Sequence, residues 1–290
     1  MSYRAKRAGA QQQALSRSRG MAVVSGIVCT VIAVAIVLPI LVIIFTSFKN
    51  NQDFYTNIWG FPRVWRADNY LRAWRMGDMI LFVRNSLTVT VTAVGGCLLL
   101  SAFAGYALSK LRVPMAKTVM SALMGLNFIP GVAIYLSLYI QMIRMGMNKT
   151  LLMLILPYLA WQIPFSVYIF QKFFDSIPSE LLESARVDGS GELNTFFRIV
   201  LPTAKPAVST VLIFNFISTW GEFMWASIAS SSSAKIKTIP VGMVYFKGEF
   251  GIEWGPFAAA IVMIVLPMVC VFIYFQKYFI QGLTAGAVKG

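Results

Sequence analysis

Histidine is absent from this 290-residue chain, acidic residues number only 11, and just 12% of positions are charged. A soluble domain spends roughly a quarter of its residues on charge, so there is too little polarity here to cover a core in water. Without imidazole, a histidine metal site is excluded. Cysteine is scarce as well. Cys29, Cys97 and Cys270 stand in separate apolar runs, which excludes a disulfide framework and makes each a buried small hydrophobe by expectation. Also missing is any G-x-x-x-x-G-K-[ST] pattern, so nothing in this chain is built to cradle nucleotide phosphates.

What the chain does have is apolar bulk, 58% of residues, and 25 Lys and Arg that bring the net charge to +14. Nucleic-acid binding would need those cations clustered on a polar groove, yet they lie between long apolar runs. A membrane protein follows. A spanning helix needs about 20 uncharged residues, and residues 20–48, 85–109, 118–143, 150–171 and 254–276 satisfy this; residues 206–234 do so apart from Glu222. The expectation is an all-α integral membrane protein with six transmembrane helices, at about 21–46, 85–109, 118–142, 150–171, 206–229 and 255–277. Pro39, Pro130, Pro157, Pro164 and Pro267 read as kinks, since neighbouring helices can satisfy freed backbone groups. Although Arg4, Lys6, Arg7, Arg17 and Arg19 precede the first span, its apolar core is too long for a secretory signal, so an uncleaved anchor is expected.

Six spans put both termini on one side. With the termini cytoplasmic, residues 1–20 and 283–290 become inner tails, and fourteen Lys and Arg, among them Lys110, Arg112, Lys117 and Lys289, lie inside against eleven outside. Trp59, Trp65, Trp74, Trp220, Trp225 and Trp254 then fall near the outer interface and Trp161 lies deep. The outer segment 50–83 is too polar to span and too aromatic for a free linker.

Between spans four and five, residues 172–205 hold five of the eleven acids: Asp175, Glu180, Glu183, Asp188 and Glu192. Pro178 suits the first turn of a short helix and Gly189 its left-handed stop. Leu181, Leu182 and Ala185 share one face at helical spacing. Such a helix lies on lipid headgroups or docks a soluble partner; the acid content disfavours the negative leaflet.

Glu183-Ser184-Ala185, three residues, Gly189, nine residues, then Ile199-Val200-Leu201-Pro202 resembles the EAA loop of ABC importer permeases, with Ser184 where the family usually has Ala. Trp220-Gly221-Glu222-Phe223 is similar to the family's W-N-E-F pattern, with Gly221 departing from Asn. The ending, Thr238-Ile239-Pro240-Val241-Gly242 through Trp254-Gly255 to Gly282–Gly290, resembles the MalG-like branch of carbohydrate importers. The resemblance implies a type I ABC importer permease fold that catalyses no covalent chemistry. It also implies a coupling helix in which Glu180, Glu183, Ser184, Ala185, Asp188, Gly189, Ile199, Leu201 and Pro202 engage a cytoplasmic ATPase. Implied partners are a second permease, two ATPase subunits that use ATP and Mg, an extracytoplasmic solute-binding protein, membrane lipid and a carbohydrate cargo, with this chain binding no cofactor or metal itself. The implied location is the inner membrane of a prokaryote.

Polar groups inside spans point to function by default. Asn215, Ser218, Thr219 and Glu222 recur at i, i+3, i+4 and i+7, forming a stripe that lines a sugar path or bonds a neighbouring helix. Tyr158, Trp161, Phe165 and Tyr168 with Gln162, and Tyr135 and Tyr139 in the third span, offer rings and an amide for a sugar, or simply packing. A glycerol-phosphate importer remains a rival, as does an ion-coupled secondary transporter or channel. Against the first, no span interior carries Lys or Arg; against the second, Glu222 has no second intramembrane acid to exchange protons with.

Overall fold

The computed structural model describes residues 2–75, 78–111, 113–248 and 251–287. Arg112, Lys289 and the side chains of Arg4, Lys6, Arg7, Arg17 and Arg19, which enter the charge count above, lie outside what is described. The chain forms two compact units, Met1–Leu71 with Ile252–Val262, and Arg72–Gly251 with Met263–Gly290.

In the first unit, α1 (Ser2–Thr46) is one continuous helix whose apolar stretch Val23–Thr46 is long enough to cross a membrane. From Val23 to Leu41 its described side chains are exposed, so a bilayer or another protein must cover it. At its end the chain turns into a small polar knot around α2 (Asn51–Thr56). Lys49 is fully buried and donates through Nζ to the carbonyls of Asn57 and Ile58. Burial pushes its ammonium below the ordinary range, partly countered by Asp53. Asn69 donates to the carbonyls of Ser47 (2.9 Å) and Lys49 (2.8 Å), and Asp53 accepts the Arg63 backbone N–H at 3.0 Å. Asn51 accepts from the Trp254 backbone N–H, while the Trp254 ring stacks on Phe54 at 4.6 Å. The segment after α1 is therefore folded.

α3 (Asp68–Arg75) leads into the second unit, whose frame is α4 (Met79–Lys110), α7 (Leu152–Asp175) and α11 (Lys205–Trp220). A Cβ on Gly105 would stand 2.7 Å from Phe170 Cβ and one on Gly96 2.8 Å from Leu159 Cδ1, so these glycines let α4 press against α7. Between them, α5 (Ala116–Leu126) and α6 (Gly131–Arg144) form a bent pair. After α7 come α8 (Ser179–Val187), α9 (Glu192–Thr195), a π turn Phe196–Val200 and α10 (Leu201–Thr203). α12 (Met224–Ala229), α13 (Ile239–Gly242) and the long α14 (Trp254–Ala287) complete the chain.

Among the described residues four helices are long and apolar enough to cross a membrane unbroken, those containing Val23–Thr46, Met79–Lys110, Leu152–Asp175 and Trp254–Phe279. The expected third and fifth spans are not straight. Ala116–Leu126 and Gly131–Arg144 meet at 92°, and Glu192–Thr203 meets Lys205–Trp220 at 76°, so six spans result when each bent pair counts as one. Pro130 lacks the N–H that would continue α5, and Pro206 stands in the first turn of α11. Pro39, Pro157, Pro164 and Pro267, by contrast, lie inside continuous helices. Two further expectations are corrected. Cys29 and Cys270 are exposed and only Cys97 is buried. Trp220 and Trp225 are buried too, each donating its indole N–H to a backbone carbonyl, of Ile264 and Met153 respectively, which makes them packing residues rather than interfacial rings.

Candidate functional site

The loop after α7 is built to hold α8 rigidly. Glu180 sits in the first turn, where the positive end of the helix favours a carboxylate. At the other end Gly189 adopts φ +81°, its N–H bonds the Arg186 carbonyl at 3.0 Å, and the Ser190 N–H reaches the Ala185 carbonyl at 2.9 Å. That pair of bonds is a Schellman stop. Leu182 and Ala185 are buried in a cluster with Phe174, Ile177, Phe196 and Val200. Glu180, Glu183, Ser184, Val187 and Asp188 are exposed.

The predicted coupling residues therefore divide. Ala185 turns inward against its own chain, whereas Glu183 and Ser184 turn outward, with Ser184 Oγ donating to the Leu181 carbonyl at 3.0 Å. Leu181 does not share the buried face with Leu182 and Ala185; it is 42% exposed. Ile199 and Leu201 are half-buried and Pro202 is exposed at the start of α10.

Residues outside the predicted coupling set bind this loop to α4. Glu192 accepts from Arg186 Nε at 2.9 Å and from the Tyr106 hydroxyl at 2.8 Å. Those two bonds hold its carboxyl below the ordinary range. Tyr106, on α4, packs its ring against Phe196 and Phe174. Beside it Ser109 Oγ donates to Asp175 at 2.6 Å and Lys110 Nζ to the Ile177 carbonyl at 2.7 Å.

The predicted polar stripe of the fifth span faces α7. Asn215 Nδ2 donates to Ser166 Oγ at 2.9 Å and reaches Cys97 Sγ of α4 at 3.3 Å. Gln162 Nε2 donates to the Thr219 hydroxyl. Glu222 lies beyond the end of α11 and caps α12. Its oxygens accept the N–H groups of Trp225 (2.8 Å) and Ala226 (2.9 Å) and the Tyr158 hydroxyl (2.6 Å). Ser218 is separated from this seam and exposed. Tyr135, Tyr158, Trp161 and Trp225 form one ring cluster with centroid separations of 5.5 to 6.0 Å, in which Tyr135 and Trp161 are half-buried. Phe165 packs edge-on to Phe214, Lys172 lies 5.8 Å from the centre of the Tyr168 ring, and Tyr139 bonds Ser231 Oγ at 3.2 Å. The bonding roles of Cys97 and Ser166 in this seam, where Cys97 also meets Ser101 Oγ at 3.5 Å, were not anticipated, because small polar residues inside apolar runs carry no spacing signal. Among the described residues no three His, Cys, Asp or Glu gather in a way that could hold a metal ion.

Residues 97–284 match the family described as the binding-protein-dependent transport system inner membrane component. The chain is 32% identical to the melibiose/raffinose/stachyose import permease protein MelC of Bacillus subtilis, over 95% of this chain and 99% of that protein. To the trehalose/maltose transport system permease protein MalG of Thermococcus litoralis it is 31% identical, over 89% and 93%. A chain in the crystal structure of a bacterial ABC transporter involved in the import of the acidic polysaccharide alginate superposes with a TM-score of 0.73, covering 90% of this chain and 97% of that one at 22% identity.

Proposed function

Because the chain belongs to the family of binding-protein-dependent transport system inner membrane components, we propose that it is the membrane-spanning permease of an ATP-driven importer whose cargo is an oligosaccharide or related polyol. As in the rest of the family, the permease is not the enzyme; ATP is hydrolysed by a separate subunit. The observation that carries the sugar reading is the pair of relatives named for oligosaccharide import, each aligned over most of both chains. Tyr135 and Trp161, the half-buried rings of the cluster that Tyr158 and Trp225 back, add chemistry suited to a sugar, because accessible aromatic faces stack on pyranose rings.

In this reading a second permease completes the channel and two ATPase subunits, using ATP and Mg, sit under the two coupling loops. A soluble receptor delivers the sugar from outside the inner membrane. Glu180, Glu183, Ser184 and Asp188 present the exposed face of α8 to the ATPase. Ala185 seats that helix on the permease core and Gly189 turns the chain back toward it. Ile199, Leu201 and Pro202 support the same region from α10 and the turn before it. Closure of the ATPase dimer moves α8 as a rigid body, and the spans alternate between inward-open and outward-open states.

Two rivals are weaker on particular grounds. A glycerol-phosphate path needs a cation, and the seam of Tyr158, Gln162, Asn215, Thr219 and Glu222 contains an acid and no Lys or Arg. Ion coupling needs an acid free to exchange a proton, whereas both oxygens of Glu222 accept hydrogen bonds. The deciding experiment is uptake into proteoliposomes holding this chain with its companion permease, ATPase and receptor. Raffinose, maltose or trehalose should enter only when MgATP is supplied to the ATPase side. Entry driven by an ion gradient without ATP, or entry of glycerol 3-phosphate alone, would reject the reading.

A further inference from the structure

α4 is held at both ends by side-chain bonds far apart in sequence. At its inner end Tyr106 donates to Glu192, which in turn accepts from Arg186 of the coupling helix. Ser109 and Lys110 add bonds to Asp175 and to the Ile177 carbonyl in the connection between α7 and α8. At its other end Asn85, which is buried, donates to the carbonyls of Lys235 (2.8 Å) and Lys237 (2.9 Å). Next to it Ser86 Oγ accepts the Ile239 N–H at 2.9 Å. The loop also fits closely against this end, because a Cβ on Gly242 would stand 2.2 Å from Phe82 Cδ2.

Between these two sets of bonds the helix has no break and no proline. Asn85 and Tyr106 are about 21 residues apart, roughly 32 Å along the axis, which is close to the thickness of a bilayer core. Kinks arise at proline, at glycine or serine pairs, at bulges or where a group enters the hydrogen-bond ladder. The pair Gly95-Gly96 is the one such place here, the helix runs unbroken through it, and Gly96 is closed against Leu159 of α7, so α4 moves as a body. Two other routes cross the unit: α7 runs into α8 but carries Pro157 and Pro164 inside it, and the path through α11 is broken, since Glu192–Thr203 meets Lys205–Trp220 at 76° and α11 ends again before α12.

We propose that α4 is the transmission rod between the ATPase and the outer face: Glu192 clasps its inner end to the coupling helix, Asn85 clasps its outer end to loop 233–242, and displacement of α8 thereby moves that loop. The proposal rests on the importer reading and deepens it by naming the residues that link motor to outer gate. Glu192, Tyr106 and Asn85 are positioning residues and touch neither nucleotide nor sugar in this account. Loop 233–242 is then the part of the permease whose shape reports the state of the ATPase to an arriving receptor. The warrant is one rigid element with a fixed attachment at each end, rather than mere adjacency.

The test uses the complete transporter in lipid nanodiscs and reads amide hydrogen exchange across residues 233–242, with and without MgATP and orthovanadate. In the parent, nucleotide trapping should change exchange there several-fold. Tyr106→Phe, which keeps the ring in its packing and removes only the hydroxyl, should reduce that response, and Glu192→Ala should abolish it. Glu192→Gln retains an acceptor for Arg186 and should restore part of it. Asn85→Asp, which places an acceptor opposite two carbonyls, should abolish the response from the far end without touching α8. A full response in either Glu192→Ala or Asn85→Asp overturns the proposal, as does an absent response in the parent. If Glu192→Ala does not elute as an intact complex on size exclusion, Tyr106→Phe decides the inner clasp. ATP-dependent sugar uptake by the same parent preparation separates the two readings. Uptake without an exchange response defeats only the rod, whereas no uptake removes the importer reading and the rod with it.

Discussion

At the scale of single residues, polar side chains here serve mainly as ties between helices. The Tyr158 hydroxyl bonds a carboxylate 64 residues away that also caps α12. Interhelical hydrogen bonds in membranes are worth about 0.6 kcal/mol on average and at most about 1.7. Tyr158→Phe should therefore lower stability by roughly 1 kcal/mol, read as an earlier midpoint for thermal loss of the intact complex in detergent. An unchanged midpoint would show that the bond adds nothing. Glu192 carries a pH dependence of known sign. Its hydrogen bonds favour the charged form and depress its pKa, so the link is intact above the ordinary glutamate value of about 4.3 and is lost as pH falls through the lower folded value. Amide exchange in residues 186–192 should stay constant, after correction for intrinsic rates, from neutral pH down to the ordinary glutamate value of about 4.3, and rise only on further acidification. Glu222 was legible as a conspicuous acid in an apolar run, but its partners were not, because they stand on another helix and in its own following turn.

At the scale of elements, α8, the proposed coupling helix, is the part most fully visible in sequence. Its start, its stop and its acid-rich face follow from Pro178, Gly189 and Glu183, since capping is local chemistry. Which apolar residue turns inward was not local. Leu182 is buried and Leu181 exposed because α8 meets Phe174 and Phe196 on one side only. Leu182→Ala should cost about 3 kcal/mol through the cavity it leaves, and uptake per ATP hydrolysed should fall, because a loosened α8 no longer moves with the core. Gly189→Val places a branched side chain at φ +81°, at a cost of roughly 1 to 2 kcal/mol. Uptake should drop strongly with membrane insertion intact, whereas Gly189→Asn should retain most of it. Equal uptake in all three proteins at matched expression would remove Gly189 from the coupling role. Pro130 was read as a kink, but that the span breaks there at 92°, and that the chain bends before α11, were not, because proline is compatible with either a kinked span or a broken one and the neighbouring helices decide which.

At the scale of the whole molecule, much apolar surface has no cover within the chain. Along Val23–Leu41 of α1 the described side chains are exposed, and Phe128, Val132 and Leu136 on α6 and the turn before it are exposed as well. Such surface needs lipid or a second permease. Expressed without its companion, the chain should elute as aggregate on size exclusion in detergent, and co-expression should give one defined peak; a stable monodisperse single chain would count against an obligate second permease. The membrane class, the number of apolar segments and the limits of α8 were decided by the linear order of residues, because a charge in hydrocarbon is costly wherever the chain folds and a capping pattern acts over a few residues. Pairings such as Tyr106 with Glu192, Asn85 with the Lys235 carbonyl and Asn215 with Ser166 were decided only by tertiary structure. Each joins groups dozens of residues apart or more, and a hydrogen bond of about 3 Å depends on how two helices pack, which no spacing along the chain specifies.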